Sequence, residues 1–511
     1  FVCQQNYEAR IAELQSRISD LQQKELQAKV TQRVSEQMED IAFQQKTISD
    51  MQREEAVKQS RIADMERGKA EIERGLAQHA QRKAVAAAEQ ADSMRVVAEM
   101  QSKLATNHMI AAEKARAKAD TLFYLSMGNS LAQSALAKGS VATDISRLLS
   151  YASWHYTKEY GGSENSYNVY KALLYSSSSI ERLNTPLKGN VRDVEMMKID
   201  GAIWTLGITD YGEIILYNNV GEYRTFGIDN APFRGMALLS PYSCLVLTSY
   251  GRVLALEFAD AKSPKMRVVG DTQLGSGLWK KICAVDKGMF AVISDDKLVW
   301  LNGKAMAVKA EHQLASGLSA IGVESKNVVH VFGANGKHYT SSLSGVRQYQ
   351  NADLTAVKEQ VTSYFHMQSN DIHILGTETG TIYVIDKGGR ILNSMMGHTG
   401  AITSVKASDQ AIVSTSYDNT LRLWSLASMT SMAESMEFTF DSWPLSFTVD
   451  GTSQMIWIGN EAGGLSRFCI SAAQNALATR NLLRREFTRD EWNFYVGESV
   501  PFRTFMKGGE R

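Results

Sequence analysis

The chain of 511 residues predicts a seven-bladed all-β propeller, preceded by a long α-helical coiled coil and a small helical neck. Three observations predict it. No proline precedes Pro186, and of 37 glycines only Gly68, Gly75, Gly128 and Gly139 precede residue 161, so the front of the chain is almost free of helix breakers. Apolar residues near its start recur in alternating steps of four and three. Beyond residue 186, strand–turn–strand segments recur seven times at nearly constant spacing. The division is 1–120 coiled-coil stalk, 121–178 helical neck, 179–471 propeller, and 472–511 a C-terminal helical tail packing on the propeller.

Residues 1–120 carry 19 Lys/Arg and 19 Asp/Glu, interspersed as on a solvated helix. Tyr7, Ile11, Leu14, Ile18 and Leu21 form one seam, with Ile11 and Ile18 at a and Leu14 and Leu21 at d. β-Branched residues at a with leucine at d favour a parallel two-stranded coil. A second register runs through Val34, Met38, Ile41, Ile48 and Met51, and a third through Ile62, Met65, Ile72 and Leu76. The changes of register are stutters, which unwind a supercoil locally without ending it. A helix that is polar outside its seam needs a partner. No Gly/Pro-marked reversal occurs before Gly68, which favours a homo-oligomeric stalk, with a dimer preferred, over an intramolecular hairpin.

The neck carries bulky residues on several faces, among them Leu122, Phe123, Leu131, Leu148, Leu149, Trp154 and Tyr156. Short helices are expected near 121–138, 142–159 and 166–177. Asp144 is the expected N-cap of the second, because its oxygens can accept from first-turn amides. Gly161-Gly162 is its stop, since glycine tolerates the left-handed C′ conformation.

The seven hairpins turn at Gly212, Gly251, Asp296, Gly336, Gly380, Asn419 and Gly463, with successive separations of 39, 45, 40, 44, 39 and 44 residues. A period near 42 with strand-like content is that of propeller blades. Gly, Asn and Asp suit the positive φ of hairpin loops. A short apolar run before each hairpin, such as Ala401–Val405 or Leu445–Val449, supplies an inner strand, and residues after the hairpin an outer one. Blade seven lacks that outer strand, because Ser471–Arg480 reads as helix. Ile180–Asn184, ended by Pro186, is the nearest candidate. Residues 179–185 are therefore expected to pair with Gly464–Ile470 and close the ring.

The sixth segment, GHTGAITSVKASDQAIVSTSYDNTLRLWS, resembles a WD40 repeat, with Gly397-His398 at its start, Asp418 in the turn and Leu423-Trp424 at its end. The resemblance implies a structural hydrogen-bonded chain of Trp424, Ser414, His398 and Asp418, with Ser416 as a substitute for Ser414. The other six segments lack Gly-His and Trp-Asp. The neck (LFYLSMGNSLAQSALAKGS, DISRLLSYASWHYTKEYGG, NSYNVYKALLYS) and the tail (LLRREFTRDEWNFYVGESVPFRTF) resemble those of a class of bacterial WD40 proteins that carry a coiled coil and often a membrane segment or signalling ATPase. Thr488 and Glu491 in the tail make a capping box ahead of a short helix that stops at Gly497.

Composition and motifs narrow the function. Lys+Arg and Asp+Glu are 55 each. A zero balance lacks the positive surplus that nucleic-acid binding needs and does not favour docking on an anionic membrane. Cys3, Cys244, Cys283 and Cys469 form no CxxC pair. No Walker loop, GxGxxG, HExxH or GxSxG occurs. His330 and His338 flank one hairpin, but no third metal ligand is specified. No catalytic, cofactor or metal residues are therefore assigned. The reading is a non-enzymatic interaction scaffold: propellers on an oligomeric stalk, with an unknown protein partner, in a membrane-associated complex. The alternative is a small-molecule, sugar or catalytic site in the central channel. The inner-strand runs legible in the sequence are apolar, which disfavours it. Phe1-Val2-Cys3 is read with equal weight as an arbitrary boundary or as the end of an upstream anchor in the bacterial inner membrane. With such an anchor, the periplasmic side is favoured for the propeller.

Overall fold

The computed structural model describes residues 91–506 apart from 139–142, 178–179, 287, 349–356, 409–410, 426–434 and 452–453; earlier it describes 57–74 and positions 11, 14, 16, 19, 55 and 76. The chain divides into two compact units: a helical one up to Ser177 that resumes at Ala476, and a strand unit, Ser178–Asn475.

The strand unit is a ring of seven four-stranded antiparallel sheets. Blade one comprises Val191–Ile199, Ala202–Thr209, Glu213–Tyr217 and Tyr223–Gly227, in that order from the axis outward. The innermost strands of the other blades are Phe233–Ser240, Lys281–Asp286, Ala320–Ser325, Val361–Met367, Ile402–Ala407 and Pro444–Asp450. Each touches the innermost strand of the next blade, and the last returns to the first, so the ring is closed. Ser319, Thr362 and Thr403 donate hydroxyl hydrogen bonds to the carbonyls of Val361, Ile402 and Pro444, at 2.6, 2.6 and 2.7 Å. These contacts join successive inner strands start to start.

Apolar residues from facing sheets fill the spaces between blades. Trp204, Leu206 and Ile214 of blade one, for example, meet Phe233, Val246, Leu254 and Phe258 of blade two. Each fully buried large side chain contributes about 1.5–3 kcal/mol of transfer free energy. Both faces of the middle strands are covered, so Ser243–Thr248 is buried throughout and reads as a continuous apolar run rather than an alternating one.

Six of the seven predicted turn residues have positive φ; Asp296 does not. There the Ser294 hydroxyl accepts from the amides of Asp296 and Lys297, at 3.3 and 3.0 Å. A side-chain turn thus replaces the left-handed residue.

Closure follows the pairing expected from the sequence. Glu181–Leu183 runs antiparallel to Leu465–Cys469, with Glu181 opposite Arg467, Arg182 opposite Ser466 and Leu183 opposite Leu465. Arg467 Nε donates to Glu181 at 2.7 Å, and the Thr185 hydroxyl donates to the Gly463 carbonyl at 2.6 Å. The strand that precedes blade one therefore supplies the outer edge of blade seven.

In the helical unit, α1 (Ala91–Ala137), α2 (Asp144–Glu159) and α3 (Tyr167–Ser177) pack together over Leu131, Leu148, Leu149, Tyr156, Leu173 and Leu174. Two expectations are corrected here. First, the helix expected near 121–138 is the end of α1, which runs without a break through residue 120 because no glycine or proline interrupts it there. Second, the N-cap of α2 is Thr143. Its hydroxyl accepts from the Ser146 amide at 3.2 Å, while the Ser146 hydroxyl accepts from the Thr143 amide at 2.8 Å; Asp144 is the first helical residue. From Ala476 onward the tail groups with these helices. Arg503 ion-pairs with Glu159, and Phe505 meets Tyr151 and His155 edge-on. These contacts could not be read from the tail, whose aromatic residues follow no helical period.

The tail itself contains α4 (Ala472–Asn481) and α5 (Arg489–Tyr495). The capping box is present: Glu491 N donates to the Thr488 hydroxyl at 3.1 Å and Thr488 N to the Glu491 carboxylate at 2.9 Å. Arg485 grips the same carboxylate with two N–H groups, at 2.7 and 2.8 Å. Hydrogen bonding from Arg485 overcomes partial burial and holds the Glu491 carboxyl down at about 2.

Candidate functional site

Blade six brings the four residues Trp424, Ser414, His398 and Asp418 together. Trp424 Nε1 donates to Ser414 Oγ at 2.8 Å. Ser414 and His398 Nε2 are 2.8 Å apart, and His398 Nδ1 lies 2.9 Å from Asp418 Oδ2. The donors fix the tautomer: the Ser414 hydroxyl donates to Nε2, and Nδ1–H donates to the aspartate. Asp418 also accepts from the amides of Thr399 and Thr420, each at 2.9 Å. Burial alone would raise its carboxyl, but hydrogen bonds from His398, Thr420 and Thr399 hold it well below the usual carboxylate range. The Thr420 hydroxyl, which sequence reading missed, donates to Asp418 at 2.7 Å. Ser416 does not stand in for Ser414; it bonds the Gly400 carbonyl at 2.8 Å. Trp424 and Ser414 are sealed from solvent, so the chain of four offers nothing to a ligand and ties the incoming loop to the hairpin.

Of the coiled-coil seam, Ile11 and Leu14 lie on helix and are 50% and 53% exposed, whereas Ile18, Leu21 and the Val34–Met51 register lie outside the described residues. Ile62, Met65, Ile72 and Leu76 are also helical and exposed. Within the single chain these apolar side chains are uncovered.

The inner strands are less apolar than the sequence reading held. A backbone bulge between the first and third residues of five inner strands, as at Val191/Asp193, re-aims the side chains that follow it. Asp193, Glu195, Lys281 and Lys406 all stand on inner strands. Their partners come from other blades: Asp193 accepts from the Met236 amide at 2.9 Å, Lys281 donates to the Thr362 carbonyl, and Lys406 lies 3.4 Å from Glu195. Burial, aided by neighbouring Glu195, pushes the Asp193 carboxyl up to about 7; burial brings the Lys281 amine down to about 8. Each of these charges is met by the protein itself. Among the described residues, no group of three or more His, Cys, Asp or Glu side chains is arranged so that it could hold a metal ion.

One end of the ring presents exposed aromatics. The turns between second and third strands and the loops between blades share this end, as backbone hydrogen bonds from Ile228 to Gly212, Leu274 to Gly251 and Phe440 to Asn419 establish. Tyr211, Tyr250 and Tyr417 lie at three of these turns and Trp443 in the loop entering blade seven; Tyr211 and Tyr250 are more than 70% exposed. Tyr417 and Trp443 meet edge to face at 5.3 Å, and each remains 43% exposed. Blades six, seven, one and two are consecutive around the ring, so these side chains form an arc. A signal was available in the sequence: an aromatic residue stands directly before the turn residue in Tyr211-Gly212 and Tyr250-Gly251, and two positions before it in Tyr417-Asp418-Asn419.

No protein-family model matches the chain, and no curated protein matches it. Among solved structures it is similar to that of U3-55K, at 10% identity over 56% of this chain and 97% of that one, with a TM-score of 0.47. It is also similar to the WD40 β-propeller domain of Doa1, at 14% identity over 57% of this chain and 97% of that one, with a TM-score of 0.48.

Proposed function

We propose that this chain is a non-enzymatic scaffold whose WD40-like propeller binds a protein partner through the arc of Tyr211, Tyr250, Tyr417 and Trp443. The observation that carries this reading is their exposure on one end of a rigid ring. Tyrosine and tryptophan dominate protein–protein hot spots because they bury much area at low entropic cost. The reading is tested by capturing partners from the native source: Tyr417→Ser with Trp443→Ser is expected to lose them. A channel site is the second reading, favoured by the four inner-strand charges. It is the weaker one, because those charges satisfy one another or backbone groups, and a site poised for a ligand leaves polar groups unmet.

The uncovered seam supports self-association through a second copy of the stalk. Light scattering on the full chain is expected to give twice the monomer mass at micromolar concentration, and Leu14→Asp to lower it by placing a charge in a desolvated seam. A monomeric mass for the unaltered chain would contradict this part of the proposal. The resemblance of neck and tail supports work within a bacterial membrane-associated complex. No helix among the described residues is long and apolar enough to cross a membrane.

A further inference from the structure

Four of the nine histidines gather where blades four and five meet. His330 and His338 stand on the second and third strands of blade four, Val328–Phe332 and His338–Ser342. His366 and His373 stand on the first and second strands of blade five, Val361–Met367 and Ile372–Thr377. His330 Nδ1 lies 2.6 Å from His338 Nε2. Ring centroids are 5.1 Å apart for His330 and His373 and 4.9 Å for His366 and His373. The groups facing them are Glu324, Asp371 and Tyr364. Glu324, on the first strand of blade four, lies 2.6 Å from His330 Nε2. Asp371, in the turn before His373, lies 3.0 Å from His366 Nε2. The Tyr364 hydroxyl, on the first strand of blade five, lies 2.8 Å from His373 Nδ1. Phe332 stacks on His338.

This arrangement suits a neutral His338 and a neutral His373. A hydrogen bond between two imidazoles needs one donor and one acceptor nitrogen, so the His330–His338 pair can carry at most one positive charge while it lasts. Glu324 and Asp371 each bond one histidine, His330 and His366, and burial with the neighbouring imidazoles outweighs their through-space pull on His373. We propose that the meeting of blades four and five is an acid-sensitive joint, in which protonation of the packed imidazoles of His338 and His373 loosens the two blades while the rest of the ring stays shut.

Burial, reinforced by His330, brings His338 down to about 2 and His373 down to about 4. An opened state, in which they titrate near the ordinary value of about 6.5, therefore binds more protons below that pH. Stability from the neutral forms is complete above about pH 6.5 and is lost as pH falls toward the folded values.

Hydrogen exchange on the full chain tests this, with each amide's rate divided by its intrinsic rate at that pH. Segments Ala320–Ser342 and Val361–Thr377 are expected to exchange at least tenfold faster at pH 5 than at pH 7.5, and blades one, two and seven to change less than about twofold. In His338→Phe with His373→Phe the ratio is expected to fall to that of the other blades, each protein being compared with itself. If the double variant is already open at pH 7.5, His373→Gln alone is expected to cut the ratio at least about threefold. Uniform acceleration around the ring, or an undiminished ratio in the variants, overturns the proposal.

Discussion

Trp424→Ala is expected to destabilise the strand unit by about 3–5 kcal/mol, the range for removing a large aromatic side chain from a packed core. Two losses combine. The indole is sealed among Met367, Ile374, Val384, Ile402 and Ile412, and its removal leaves a cavity between blades five and six. Ser414 also loses the donor at 2.8 Å that completes its hydrogen bonds, a further cost for a buried polar group. Trp424→Phe separates the two: it keeps most of the ring and loses the N–H, so about 1–2 kcal/mol is expected. Denaturant titration of each variant measures both. If Trp424→Ala keeps full stability and loses a binding partner, the residue belongs to a binding surface instead.

The second large effect is on closure. A strand unit spanning Ser178–Asn475 is expected to unfold in one cooperative transition, and one spanning Lys188–Asn475 to aggregate or lose that transition. The shorter chain lacks Glu181–Leu183 and so leaves Leu465–Cys469 as a bare edge, a template for pairing with other chains. It also lacks Leu183 and Leu187, which pack with Val191, Tyr217, Trp457 and Leu465. Leu187 alone represents about 2–5 kcal/mol by analogy with core leucine deletions. Equal transitions for the two chains would mean that the ring holds shut without its closing strand.

Much of this fold is local in origin and was legible for that reason. Turn residues at a period near 42 fix the blades, and the Gly-His, Asp and Trp of blade six fix one hydrogen-bonded chain. The closing strand was legible by elimination, because residues after Ile470 read as helix while an edge still needed covering. What escaped depends on long-range geometry. Lys281 and Asp193 lie 88 positions apart in the sequence, each beside another charge, and only the closed ring of inner strands brings them to one axis. His330, His338, His366 and His373 span 44 residues, and only the packing of adjacent blades makes them neighbours. The tail found the helical unit through Arg503 and Phe505, which carry no periodic signal.

The central claim, that the aromatic arc and not the channel binds the partner, is tested most directly by quantitative capture from the native source. Three proteins are compared: the unaltered chain, Tyr417→Ser with Trp443→Ser, and Glu195→Gln with Lys406→Met. Partner recovery is expected to fall at least tenfold with the first pair of substitutions, as for loss of a hot spot worth about 1.4 kcal/mol or more, and to stay within about twofold with the second. Recovery that survives loss of the aromatic pair and vanishes with the channel pair would contradict the account.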